Sequence, residues 1–390
     1  MTARSGAHRH GRLPPGALAV TRHLLVHGPS SRRRLGAELR LSEASMSRLA
    51  RTLKARGFVA ENSDATRTLG RPRQILSAVP DALHIVGVKL TADAAYGAAC
   101  DLFGTVLTTS RSALPRRVNG KVPAEATIRT ITTLVNRLRQ RVPSLDGVCV
   151  SIGGVVAPGR TTVQEGTFLG WHDVELALPL ESALGVPVVL SNDVTALARE
   201  QLWFGAGRTH SSFGLITVGS GLGLGVVREG KVLEQLIDNG HLLQHAPIDP
   251  TGPTCTHGHH GCVAAYLNRD DIERRLARNL GRPITASAAI RDARFAGASW
   301  LVDAATALGH LVATLAGALQ TERIVLAGED VAPLTEVPAF WATIEDRIRP
   351  GPHETQHCAL DLSIAPLTFT DWAHGAAVVG IQHVLGDLTP

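Results

Sequence analysis

Apolar residues in the first 80 positions recur at helical spacing in three short stretches separated by turn residues. The first covers about Ala17 to His27 and stops at Gly28-Pro29, and the second opens after Ser31 and carries Leu35 and Leu39. The third opens at Ser42, a residue type that caps helix N-termini, and stops at Gly57, a favoured residue just past a helix end. Met46, Leu49, Ala50 and Leu53 fall at i, i+3, i+4 and i+7 of this third helix and form one buried face, which leaves Ser45, Ser47, Arg48 and Arg51 facing outward. The stretch that follows, "FVAENSDATRTLGRPRQILSAV", reads as two strands around a loop, a hairpin wing.

Beyond residue 80 the pattern changes. From "LHIVGVKLTADAAYGAACDLFGTVL" onward, short β-branched runs alternate with longer helical stretches. "GVCVSIGGVV", "VPVVLSND", "SFGLITVGSGLGLGVV" and "ERIVLAGED" predict buried strands that end in Gly or Asp. Helices are predicted around Ala124 to Gln140, Asp193 to Trp203, Ser287 to Arg294 and Ala304 to Leu319. This alternation predicts an α/β class with two lobes and a ligand cleft between them, at the strand ends. The domain organisation expected is a basic arm over 1–15, a small helical head with a wing over 16–80, and the α/β part over 81–390.

Charge sharpens the picture of the head. Residues 1–80 hold 15 Lys and Arg against 4 Asp and Glu, whereas residues 81–390 hold 24 against 30. A basic module precedes an acidic one. Two short helices and a tight turn, the second exposing small polar residues near its start and Arg further along, meet the requirement of a helix-turn-helix that reads a DNA major groove. Ser42, Ser45, Ser47, Arg48 and Arg51 are the candidate contacts of the recognition helix, with Arg67, Arg71 and Arg73 of the wing available to backbone or minor groove. The alternative is a packing module whose arginines only solvate it, and for the arm a solvated basic tail.

Five cysteines in 390 residues make no disulfide framework, which fits a reducing compartment. No run of about 18 apolar residues is available to span a bilayer, and the opening "MTARSGAHRHGRLPPG" has no apolar stretch of the signal-peptide kind, so the cytoplasm is expected. Two of the cysteines fall in "CTHGHHGC", Cys255 to Cys262, together with three histidines. Cys255, His257 and Cys262 offer three zinc ligands, and the fourth is open among His241, His245, His259 and His260. Four protein ligands leave no position for water, so the zinc would be structural. "VGSGLGLG", Val218 to Gly225, is either a phosphate-cradling loop or a tight hairpin, and no Gly-Lys-Ser/Thr follows it. Asp193 in "SND" is either a helix N-terminal charge or a hydroxyl acceptor and general base.

These pieces in this order resemble the ROK family of repressors, open reading frames and sugar kinases, from about Ala17 to the C-terminus. The resemblance rests on "SND" for the family's Asn-Asp pair, "GSGLGLG" for its second glycine loop, and "DNGH" followed by "CTHGHHGC" for its Glu-x-Gly-His and cysteine-rich motif. It implies a winged helix-turn-helix joined to two actin-like, ribonuclease H-like lobes that bind a sugar and carry a zinc. It implies His241, Cys255, His257 and Cys262 as zinc ligands, and Gly153, Asn192, Asp193, Asp238 and His241 at the sugar. Repressor members also imply a homodimer or tetramer on an inverted-repeat DNA operator, with a sugar effector that changes the spacing of the heads.

The departures from the family pattern bear on activity. Its kinase motif Asp-x-Gly-Gly-Thr stands here as "KLTAD", Lys89 to Asp93, so a lysine replaces the carboxylate and both phosphate-loop glycines are gone. No kinase activity is expected, and Asp193 becomes a ligand contact; the alternative is a sugar kinase carrying a DNA-binding head. Asp238 replaces the family's glutamate and Ala264 stands where a second glutamate is usual, which predicts an unusual sugar, a sugar derivative, or no effector.

Overall fold

The computed structural model describes residues 11–63, 74–234, 241–349 and 360–388, apart from the side chains of Ser63, His241 and Leu242. The chain opens with α1 (Pro15–His27), β1 (Ser30–Ser31), α2 (Arg32–Glu38), α3 (Glu43–Ala55), β2 (Val59–Ser63) and β3 (Gln74–Ala78). Two serines start the second and third helices: Ser31 accepts a hydrogen bond from the Arg34 amide at 3.3 Å, and Ser42 from the Ser45 amide at 3.2 Å. Leu24, Leu35, Met46, Ala50 and Leu53 form the head's core, while Leu49 is half-buried. Strands β2 and β3 pair antiparallel as the wing, and β1, in a stretch the hydrophobic pattern gave only as a turn, pairs with the outer edge of β3. Arg67, Arg71 and Arg73 lie outside the described residues.

A 3-10 turn at Pro80–Ala82 leads into β4 (Ile85–Leu90), β5 (Ala94–Cys100), β6 (Val106–Ala113), α4 (Ala124–Arg139), β7 (Gly147–Ile152), β8 (Val155–Val156), β9 (Thr162–Gly166), β10 (Trp171–Glu175), α5 (Ala177–Leu184), β11 (Val188–Asn192) and α6 (Asp193–Phe204). The main sheet runs β6-β5-β4-β7-β11. Its first three strands are an antiparallel meander, and β4, β7 and β11 are parallel. Strands β8 to β10 form a small separate sheet.

A second compact unit spans Thr209–Thr368. It contains β12 (Phe213–Val218), β13 (Leu222–Arg228), β14 (Lys231–Leu233), α7 (His241–Gln244), α8 (Val263–Leu267), α9 (Arg269–Leu280), α10 (Ala286–Ile290), α11 (Ser299–Leu319), β15 (Arg323–Gly328), α12 (Val331–Thr335), α13 (Pro338–Ile348) and β16 (Asp361–Pro366). Its sheet runs β14-β13-β12-β15-β16, with the same sequence of antiparallel and parallel pairings as the first. Two α/β units of one topology are the actin-like architecture. The predicted helix over 287–294 is shorter, because the Asp292 side chain accepts from the Arg294 amide at 3.0 Å and turns the chain into a 3-10 segment at Ala293–Phe295.

The last helix, α14 (Phe369–Leu385), belongs to the first unit and covers its sheet. A Cβ at Gly87 would lie 2.0 Å from the Ala373 carbonyl and 2.3 Å from the Ala377 nitrogen, so β4 and α14 touch backbone to backbone. Helix α11 has the length and apolar content of a membrane span, which the sequence reading does not provide for, but 56% of its most apolar window is buried, with Leu308, Leu311 and Val312 in the second unit's core.

Candidate functional site

The parallel strands set the site in the first unit. Leu90 pairs in register with Ile152, and Ile152 with Asn192, so the C-terminal ends of β4, β7 and β11 lie side by side. This register gathers Lys89, Gly153, Asn192 and Asp193, three of which the sequence names as ligand contacts. Asn192 is largely committed to the fold: its Oδ1 accepts from the Thr195 amide at 3.0 Å, capping α6, and its Nδ2 donates to the Gly154 carbonyl at 2.9 Å. Gly154 has φ +145°, and a Cβ there would lie 2.0 Å from the Glu165 carbonyl, so only glycine fits this turn.

Asp193 Oδ1 accepts from the Val194 amide at 2.9 Å, and its Oδ2 takes the Lys89 ammonium. Both side chains are largely buried, 8% exposed for Lys89 and 13% for Asp193. The Lys89 nitrogen also lies 5.2 Å from the Trp372 ring centroid on α14. This ion pair is the feature the sequence reading missed. A lysine inside a strand whose six positions are all buried requires an anionic partner, which was the available signal. After it, Thr91 and Asp93 close the turn, with Thr91 Oγ1 donating to Asp93 Oδ1 at 2.9 Å and accepting from the Ala94 amide at 3.1 Å. Side chains latch the segment where the kinase pattern has glycines.

In the second unit Val218 to Gly225 is the tight hairpin between β12 and β13, closed by a 3.1 Å bond from the Gly219 amide to the Gly221 carbonyl. A Cβ at Gly219 would lie 1.9 Å from the Glu329 carboxylate. Ser220 accepts from Arg269 at 2.9 Å, and Arg269 pairs at 3.0 Å with buried Asp330, which also takes Ser287 and Arg291. Protein groups therefore hold this loop. Asp238 and the side chain of His241 lie outside what the structure describes.

The cysteine-rich loop folds into a convergent set of four donors, His245, Cys255, His259 and Cys262, whose ligand atoms all lie within 4.8 Å of one another. His245 Nδ1 is 3.8 Å from Cys255 Sγ and 3.6 Å from Cys262 Sγ, and His259 Nδ1 is 3.7 Å from Cys255 Sγ. Zinc bonds of about 2.3 Å to sulfur and about 2.0 Å to nitrogen set S and N roughly 3.5 Å apart across a tetrahedral edge, so this donor set fits zinc. Both cysteines are buried, and enclosure raises the Cys262 thiol above its ordinary pKa. The two histidines are among those the spacing left as rivals to His241, with His260 the third. His257 instead stacks edge-on against His245, centroids 4.8 Å apart, and is exposed. Gly261 (φ +55°) makes the loop possible, since a Cβ there would meet the Asp249 carbonyl at 1.4 Å. Cys100 and Cys149 are likewise buried, and desolvation pushes their thiols up to about 12, which keeps them protonated.

On the head, Arg48 and Arg51 are exposed on α3, and Ser45 and Ser47 are half-buried beside them. Ser42 Oγ is occupied at the cap and lies 3.0 Å from Ser45 Oγ.

The ROK family profile matches residues 85–364. The chain belongs to the ROK family. Among ROK relatives it is 25% identical over 258 residues to the DNA-binding transcriptional dual regulator NagC of Escherichia coli, a match covering 66% of this chain and 63% of that one. It is 24% identical over 257 residues to the xylose repressor of Bacillus subtilis, covering 66% of each, and 30% identical over 184 residues to the glucokinase of Thermotoga maritima, covering 45% of this chain and 58% of that one. The fold is similar to that of a ROK family transcriptional regulator described as a homolog of E. coli MLC, with TM-score 0.76 and 22% identity over 95% of this chain and 96% of that one. It is also similar to a ROK glucokinase from Streptomyces griseus, with TM-score 0.61 and 22% identity over 77% of this chain and 99% of that one. The ROK match begins after the wing, whereas the regulator structure extends the likeness over the head.

Proposed function

We propose that this chain is a cytoplasmic DNA-binding transcriptional repressor whose kinase-like part binds a sugar or sugar derivative without phosphorylating it. The observation that carries the second half is the Lys89–Asp193 ion pair. A sugar kinase needs a carboxylate base open to the substrate hydroxyl and a site that attracts Mg²⁺ and nucleotide phosphates. Here the ammonium of Lys89 occupies one oxygen of that carboxylate, and its positive charge would repel a metal ion brought to the same carboxylate. Asp193 and Asn192, with Gly153 beside them, then serve as hydroxyl contacts, joined by Asp238 and His241.

The head supports the first half through its three helices, its wing and its exposed Arg48 and Arg51. A symmetric dimer, alone or paired into a tetramer, sets two recognition helices about 34–36 Å apart on an inverted repeat. Ser42, Ser45, Ser47, Arg48 and Arg51 contact DNA from α3, and Arg67, Arg71 and Arg73 from the wing. Effector binding shifts the dimer between states of different head spacing, which requires different affinity for the two states. One structural zinc on Cys255, Cys262 and two histidines fixes the loop; the converging pair is His245 and His259, and the family pattern assigns His241 and His257.

Genome-wide mapping of binding sites, followed by a band-shift on the best site with and without sugars, tests this function. Release by one sugar establishes an inducible repressor. Turnover of a hexose with ATP that disappears in Asp193→Ala overturns it in favour of a kinase with a DNA-binding head.

A further inference from the structure

Phe168 is an aromatic side chain that is 42% exposed, in the 3-10 turn Thr167–Leu169 between β9 and β10. The residues that follow it are anchored. Leu169 and Trp171 are buried, the Val122 amide donates to the Leu169 carbonyl at 2.9 Å, and the Trp171 indole donates to the Val122 carbonyl at 2.7 Å. Arg117 holds the Phe168 carbonyl with one nitrogen and donates to the Gly120 carbonyl at 2.8 Å with the other. The ring is therefore carried on a fixed turn while much of it faces solvent.

Its position is informative because of Gly153. A Cβ on that glycine would lie 3.1 Å from both Cδ2 and Cε2 of Phe168 and 3.3 Å from Oδ2 of Asp193. The ring edge and the carboxylate thus flank the same bare stretch of backbone, and a side chain on residue 153 would fill the gap between them. An apolar plate beside a fixed carboxylate and its ammonium matches a cyclic sugar, which has one C–H-lined face and a rim of hydroxyls.

We propose that Phe168 is a wall of the effector site, packing on the C–H face of a pyranose whose hydroxyls reach Asp193 and Lys89. This rests on the effector-binding reading given above and adds a residue and a substrate shape to it: a ring with equatorial substituents, which leaves the stacked face free of hydroxyls. Scattered exposed hydrophobics are ordinary on protein surfaces, and Leu178 and Leu233 are such cases here. Phe168 differs from them in sharing Gly153 with the buried ion pair.

The test is saturation-transfer NMR and titration of the full chain with D-glucose, D-xylose and N-acetyl-D-glucosamine as probes. The proteins compared are wild type, Phe168→Ala, Phe168→Trp and Asp193→Ala, with thermal melting as the check on folding. In protein deuterated except at phenylalanine, irradiating ring protons should transfer saturation to the C–H protons of one face of the bound sugar. Phe168→Ala should weaken that sugar's binding at least tenfold, and Phe168→Trp should keep it within about threefold. Unchanged binding in folded Phe168→Ala, with binding lost in Asp193→Ala, overturns the role of Phe168 and leaves the effector reading standing. Binding in the titration without transfer from phenylalanine overturns the role of Phe168 alone, and no binding of any of the three sugars to wild type overturns both.

Discussion

Replacing Lys89 with methionine keeps most of the apolar stem of the side chain and removes the ammonium. What remains is the Asp193 carboxylate, 13% exposed, with one fixed hydrogen bond from the Val194 amide. Breaking a buried pair from one side leaves an uncompensated charge and costs about 3–5 kcal/mol. The partial access of Asp193 to water places this case at about 3 kcal/mol, at the lower edge of that range. For a domain of this size each kcal/mol moves the melting midpoint by roughly 2–4 °C, so a fall of about 6–12 °C is expected. Asp193→Leu, which strands the lysine beside Trp372, should cost a similar amount. The double variant should recover much of it, because two apolar side chains of similar volume replace the pair without leaving a bare charge. Urea melts of the four proteins give the coupling energy, expected at about 2 kcal/mol or more. Additive single effects, or a Lys89→Met midpoint within error of wild type, would falsify the claim that Lys89 neutralises Asp193.

Cys255→Ser, or chelation of wild type, should release about one zinc per chain and lower the stability of the second unit, as read by metal analysis alongside melting; full metal content in the variant rules out this donor set. In band-shifts, Arg48→Ala should lose about 1–3 kcal/mol on the specific site and relax specificity, and Arg51→Ala, if it meets phosphate, should reduce the salt slope by about one. Wild-type affinity and salt slope in both variants remove α3 from the DNA interface. Glu200, accepting from Gln201 at 2.8 Å, is pushed up to about 7 by desolvation, with Asp371 adding to the rise. The folded state then holds a proton that the unfolded state has released, so stability should fall between about pH 4.5 and pH 7, by on the order of 1–3 kcal/mol. Glu200→Gln should flatten that slope, and an unchanged profile assigns it elsewhere.

The hydrophobic pattern located the helices of the head because each carries a local stop or start, such as Ser31, Ser42, Gly28 and Gly57, whose geometry needs no distant partner. It located β7, β11 and β15 because these buried strands are short, mostly apolar and β-branched runs that stop at Gly, Asn or Asp. The Lys89–Asp193 pair was not legible as a contact because its members lie 104 residues apart and only the register of β4, β7 and β11 joins them. The metal loop shows a similar limit. Spacing singled out Cys255 and Cys262, but both His257 and His259 satisfy a spacing rule, and His245 reaches the cluster from outside the loop, so only the folded backbone separates them.

Helix α14 gives the chain a temporal order. The sheet it covers is made early, yet the helix that seals Gly87 and its neighbours is translated only after the whole of Thr209–Thr368. At about 5–20 residues per second, that interval is on the order of ten seconds or more. During it the head can form on the ribosome while the lobe behind it still exposes one face. The first unit is therefore completed last, and a chain interrupted before Phe369 would carry the whole of Thr209–Thr368 but leave the first unit's sheet without its covering helix.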